Sequence, residues 1–94
     1  MSQKYIRLKK LHNISDVILV FPEIIDHSAF TRQLGFRADD VVSAGFTCID
    51  ESDMGNPVYR CYGRSVSLNK ESIPVEDSKY LNYQLYNTYD KEDY

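Results

Sequence analysis

Alternation of apolar and polar positions is clearest between Val41 and Leu68, VVSAGFTCIDESDMGNPVYRCYGRSVSL. Val42, Ala44, Phe46 and Cys48 alternate with Ser43, Gly45 and Thr47, the period of a half-buried strand. Asp50 to Asn56 then brings charge and Gly55-Asn56 ahead of Pro57, which suits a turn of several residues. The return strand carries Val58, Tyr59, Cys61, Tyr62, Val66 and Leu68, but its halves are out of phase. Tyr59 and Cys61 share one parity and Val66 and Leu68 the other. One extra residue moves every later side chain to the opposite face. Gly63 is best able to supply it, so the pattern predicts a β-bulge or sharp bend at Gly63-Arg64. Arg60, Tyr62, Ser65 and Ser67 then face away from the core, together with Ser43, Gly45 and Thr47. Without the bend, Val58, Tyr62, Val66 and Leu68 pack inward and the serines face water.

Upstream, Val17 to Phe21 is apolar at every position, which predicts a strand at the centre of a sheet or beneath a cover. Pro22 ends it, because proline cannot donate to a ladder. Tyr5 to Leu11 has a pattern weak for either a strand or a short helix; taken as a strand, with the turn-like His12 to Ser15, it completes a hairpin over residues 4–22. Asp26 or Ser28 caps a helix running to about Leu34, with Gly35 just past its end. Ile25, Ala29, Phe30, Gln33 and Leu34 form its apolar stripe.

Pro74, followed by Glu76 and Asp77, starts a second helix with acids at the positive end of its dipole. Leu81, Leu85 and Tyr89 are its buried stripe. Leu81, Tyr83, Leu85 and Tyr89 also fit a strand, so residues 77–89 carry both patterns. The start signals and the length favour helix. Tyr80, Tyr83, Tyr86 and Tyr89 recur every third residue and wind around such a helix, leaving some rings outside the core, where exposed tyrosines suit a partner.

The expected fold is therefore α+β: a two-layer sandwich of order ββαββα, with a mostly antiparallel four-stranded sheet and both helices on one face. Its core comprises Val17, Leu19, Phe21, Phe30, Leu34, Val42, Ala44, Phe46, Cys48, Cys61, Val66, Leu68, Leu81 and Leu85. Ninety-four residues make a single domain, 1–94, with 90–94 a frayed tail.

Composition narrows the chemistry. At 43% hydrophobic and 27% charged residues, the chain has the make-up of a folded globule. No apolar run approaches the ~20 residues of a membrane span. No apolar signal region follows the basic N-terminus, so a cytoplasmic location is expected, with Cys48 and Cys61 as thiols. A net charge of −3 argues against a dedicated polyanion binder.

Several chemistries can be weighed against these residues. His27 with Ser65 or Ser67 could serve a hydrolase, yet helix capping accounts for Asp26 and Ser28 without chemistry. Gly63-Arg64-Ser65 also lacks the second glycine of a nucleophile elbow. Cys48, Cys61, His12 and His27 lack metal-ligand spacing, and no phosphate loop is present, so neither metal nor cofactor is expected. Arg60, Tyr62 and Arg64 alternate as on sheets that stack bases and hold phosphates, and Tyr5, Arg7 and Lys9 repeat the idea. Arg64 with Ser65 and Ser67 could hold a small anion instead.

The block SAGFTCID, then YRCYGRSVSL and SIPVEDSKYL, resembles short uncharacterised bacterial proteins, some carried on mobile gene cassettes. The resemblance implies a bacterial, cytoplasmic accessory protein and no particular activity. The functional expectation is a non-catalytic protein- or ligand-binding module that uses an open sheet face bearing Ser43, Arg60, Tyr62, Arg64, Ser65 and Ser67. Self-association as a homodimer would cover that face. A nucleic-acid binder using Arg60, Tyr62 and Arg64 and a small enzyme using His27 and a serine are the alternatives.

Overall fold

A computed structural model describes residues 2–9, 16–51 and 57–90. The elements are β1 (Ser2–Leu8), β2 (Val17–Phe21), α1 (His27–Gln33), β3 (Val41–Glu51), β4 (Pro57–Tyr62), β5 (Arg64–Ser65), β6 (Lys70–Glu71) and α2 (Pro74–Asp90). Strands β1 to β4 form an antiparallel sheet in the order β2-β1-β3-β4, while β5 and β6 pair apart from it. The α+β class, the four-stranded antiparallel sheet and its two hairpins are as the pattern predicts. The turns expected at 12–15 and 52–56 and the tail at 91–94 lie outside the described residues. Residues 74–90 are helical, which settles the double pattern there.

The helices do not share a face. Partners in an antiparallel ladder point to the same side, so Tyr5, Val20 and Gly45 mark one face and Ile6, Leu19 and Ala44 the other. Leu81 and Tyr80 of α2 pack on the first face, against Tyr5, Ile18 and Cys61. Phe30 of α1, with Ile25 and Phe36, packs on the second, against Ile6, Leu8, Phe21, Val41, Ala44 and Leu68. The architecture is thus α1, sheet, α2. The expected two-layer arrangement fails because β1 presents bulky side chains to both sides, Tyr5 and Arg7 to one and Ile6 and Leu8 to the other.

That covering changes several burial expectations. Ser43 and Thr47, expected outside, are fully buried on the α2 side, while Val42, Phe46 and Cys48 are only partly covered. Strand β2 is an edge strand and not a central one. Its apolar character is used because a helix packs against each of its faces. Leu34 and Leu85, expected in the core, are exposed, and α1 instead buries His27 and Thr31.

The sharp bend falls where the phase conflict predicts. β4 stops at Tyr62, Gly63 takes φ +78°, and the chain leaves the sheet. The alternation does not carry through the bend, and β5 and β6 close around a turn in which Ser65 Oγ accepts the Leu68 N–H at 3.1 Å. Ser65 is consequently buried and Val66 is 83% exposed, the reverse of expectation, while Leu68 reaches the core. Gly45 sits under this crossing. A Cβ there would lie 2.4 Å from the Tyr62 carbonyl oxygen.

Candidate functional site

Helix α2 builds the site, and it docks largely through polar groups. Asp77 is fully buried; it accepts the Tyr5 hydroxyl, the Ile73 N–H at 2.9 Å and Arg7 Nη1 at 3.0 Å. Arg7 also meets Asp16 at 3.0 Å and the more exposed Glu76 at 2.5 Å, and its guanidinium lies 4.7 Å from the centre of the Tyr80 ring. Burial works against the Arg7 charge, but the hydrogen bonds to Glu76 and Asp77 outweigh it and hold its pKa above the usual guanidinium value. Burial and the Asp77 bond raise the Tyr5 hydroxyl well above an ordinary phenol. Tyr5 and Arg7 are therefore committed inside the protein, unavailable to the base-stacking role considered for them.

Further along α2, side chains satisfy strand edges. Asn82 accepts the Tyr59 N–H and donates to the Tyr59 carbonyl, both at 2.9 Å, and Ser78 Oγ accepts the Cys61 N–H at 2.8 Å. Gln84 makes the same two bonds to Ile18 on β2, again at 2.9 Å each. One helix thus supplies the hydrogen bonds that a neighbouring strand would supply at both sheet edges, which protects the edges from pairing with another chain. The sequence carries a faint signal of this: Asp77, Ser78, Leu81 and Asn82 share a helix face, with polar residues where a core stripe would be apolar.

Outside this clasp, β4 and α2 bound an open groove of about 1630 Å³. Its walls include Val58, Tyr59 and Tyr62 from β4, then Ile73 and Val75, and Tyr83 and Tyr86 from α2. Val58, Tyr62, Ile73, Tyr83 and Tyr86 are about half exposed. Asp50 and Glu76 in its lining are balanced by Arg60 and Lys79, so the groove has no net charge of its own. Arg60 is held by Asp50 at 2.5 Å.

The six residues expected on one open face are divided. Ser43 and Ser65 are fully buried. Arg60 and Tyr62 lie on the α1 side of β4, with Cys48 and Val58, where a corner of sheet stays open. Arg64 and Ser67 line a separate cavity of about 340 Å³ with Lys4, Asp26, His27, Phe46 and Val66. There Arg64 donates to Asn69 Oδ1 at 3.3 Å, Lys4 to the Ile25 carbonyl at 2.9 Å, and Ser67 Oγ accepts the Ser28 N–H.

His27 is buried between Phe21 and Phe46, and its Nε2 lies 2.8 Å from the Gly45 carbonyl oxygen. Burial lowers its pKa, against the opposing pull of that carbonyl. Among the described residues no hydrogen bond joins it to Ser65 or Ser67. Cys61 points toward α2 and Cys48 to the other side, since Thr47 is the partner of Cys61 and Arg60 that of Cys48. Both are free thiols, and burial pushes Cys61 up to about 11. Among the described residues, no helix is long and apolar enough to cross a membrane.

No protein-family model matches this chain, and neither the curated proteins nor the solved structures contain a significant match.

Proposed function

We propose that this protein is a non-catalytic interaction module that forms a homodimer through the groove between β4 and α2. The observation that carries the proposal is the set of half-exposed apolar and tyrosine residues that line this groove around the β4 edge, Ile73, Tyr83 and Tyr86 along its α2 side and Val58 and Tyr62 on the opposite side of the strand. Tyrosine supplies a large contact area at low entropic cost. A second copy meets no net repulsion there, because the lining charges cancel even though the chain carries −3. With the Tyr59 and Cys61 amides already bonded to α2, contact through side chains is favoured over strand addition. The open corner with Arg60 and Tyr62 extends the same surface. Two free thiols on opposite faces suit a reducing, cytoplasmic setting.

Sedimentation velocity over a wide concentration range tests this. The expected result is a monomer–dimer equilibrium that Tyr83→Arg with Val58→Lys shifts to monomer while the thermal midpoint holds. A wild-type chain that stays monomeric up to high concentration overturns the homodimer.

A second reading rests on the smaller cavity, which Lys4 and Arg64 line together with Ser67, two cations against the one carboxylate of Asp26. It would take a small anion, detected as a rise in thermal midpoint with added phosphate that Arg64→Ala removes.

A further inference from the structure

The two faces of the sheet are held by different physics. On the α1 side the contacts are apolar: Ile6, Leu8, Phe21, Val41, Ala44 and Leu68 form one cluster with Phe30 and Phe36 against it. On the α2 side a smaller cluster of Tyr5, Ile18, Cys61 and Leu81 is buried, the sheet otherwise offers Arg7, Ser43, Gly45 and Thr47 along its middle, and among the described residues of α2 only Leu81 is a fully buried apolar side chain. Besides that cluster, α2 is fastened by hydrogen bonds that Asp77, Ser78, Asn82 and Gln84 accept from the sheet. Beneath it, Ser43 Oγ is buried without a hydrogen-bond partner among the described residues, and Thr47 Oγ1 has only the weakly bonding Cys61 thiol beside it.

These differences set the cost of separating each layer. Exposing an apolar cluster to water loses its whole transfer free energy. Exposing hydrogen-bonded polar groups exchanges protein partners for water, at a small net cost per bond. Rehydrating Ser43, and in part Thr47, removes an existing penalty. Contact with α2 is therefore the weaker of the two layers.

We propose that α2 is a releasable clasp that lifts off as a unit while the four-stranded sheet and α1 stay folded, uncovering the edges of β4 and β2 together. The released state exposes the Tyr59, Cys61 and Ile18 backbone groups as strand-pairing edges. It also abolishes the groove, since α2 is one wall of it. The homodimer proposed above would then bind only the clasped state and hold it shut.

Native-state amide exchange on the full chain, at low protein concentration and across a denaturant series, tests the release. The amides of Ile18, Tyr59 and Cys61 should share one opening with those of α2, well below the global unfolding at which the amides of β1 and β3 exchange. A second measurement separates unit release from local fraying. In the Asn82→Ala, Gln84→Ala variant the Cys61 amide keeps its own acceptor, Ser78. Release as a unit nevertheless speeds its exchange roughly a hundredfold, since four bonds holding α2 are gone.

The proposal is overturned if Ile18, Tyr59 and Cys61 exchange only with global unfolding in the wild-type chain. It is equally overturned if the variant speeds Ile18 and Tyr59 but leaves Cys61 unchanged. Should the variant fail to fold, the wild-type denaturant series decides alone. Slowing of these three amides as protein concentration rises is a separate result that bears on the homodimer and not on the clasp.

Discussion

Replacing Arg7 with methionine isolates the electrostatic core beneath α2. Methionine keeps an apolar stem of comparable length, so the packing loss is small and the effect comes from stranding carboxylates. Arg7 meets three of them, and they are not equivalent. Glu76 is 56% exposed along its side chain, so its share is screened by water to within about 1 kcal/mol. Asp16 is at 19% and retains some solvent. Asp77 is at 0% and would keep only the Tyr5 hydroxyl and the Ile73 N–H. Removing one partner of a buried pair costs about 3–5 kcal/mol, most of it from the charge left behind. At roughly 4–8 °C per kcal/mol for a domain of this size, the thermal midpoint should fall by roughly 12 °C or more.

Equilibrium urea unfolding of wild type and variant, read by circular dichroism and by tyrosine fluorescence together, measures the loss. Adding Asp77→Asn to Arg7→Met should recover part of it, because the second change removes the stranded charge. A single variant within 1 kcal/mol of wild type, or a double variant no more stable than the single one, refutes the argument that the pair is buried and mutually dependent.

Gly45→Ala brings a methyl group to 2.4 Å from the Tyr62 carbonyl oxygen, so the crossing at Gly63 must shift. The expected cost is about 1–3 kcal/mol by chemical denaturation, and an unchanged midpoint would show that the crossing yields freely. His27 titrates below its usual 6.5 because it is buried, so the unfolded chain takes up the proton first as pH falls. Its contribution is intact above about pH 6.5 and declines as pH drops toward the depressed folded value. His27→Phe should flatten the stability profile in that window, and an equally steep profile in the variant would place the acid sensitivity elsewhere.

Local chemistry made the elements legible, and distant partners decided their surroundings. Pro22, Gly35 and Pro74 bound the strand and helices because proline and glycine act through the backbone of their own neighbourhood. The conflict of phase between Cys61 and Leu68 located the bend for the same reason. Arg7 reads as a solvent-facing charge until Asp16, Glu76 and Asp77 are brought beside it, two of them some 70 positions away. Ser43 and Thr47 likewise read as an open polar face, because nothing near them announces a helix from the end of the chain. The candidate groove was visible only as tyrosines left over from the last helix. Its other wall, β4, has the sequence pattern of an arginine-bearing face, and the edge bonds of Asn82 and Gln84 depend on tertiary placement that no short window of sequence contains.

Thr47 and Cys48 are consecutive, so the register that puts Cys61 opposite Thr47 sends the two sulfurs to opposite sides of the sheet. The chain therefore carries a native reporter for each layer, needing no engineered label. A thiol-reactive dye should mark Cys48 in the resting molecule and reach Cys61 only when the layer above it parts, which gives each side of the sheet its own clock.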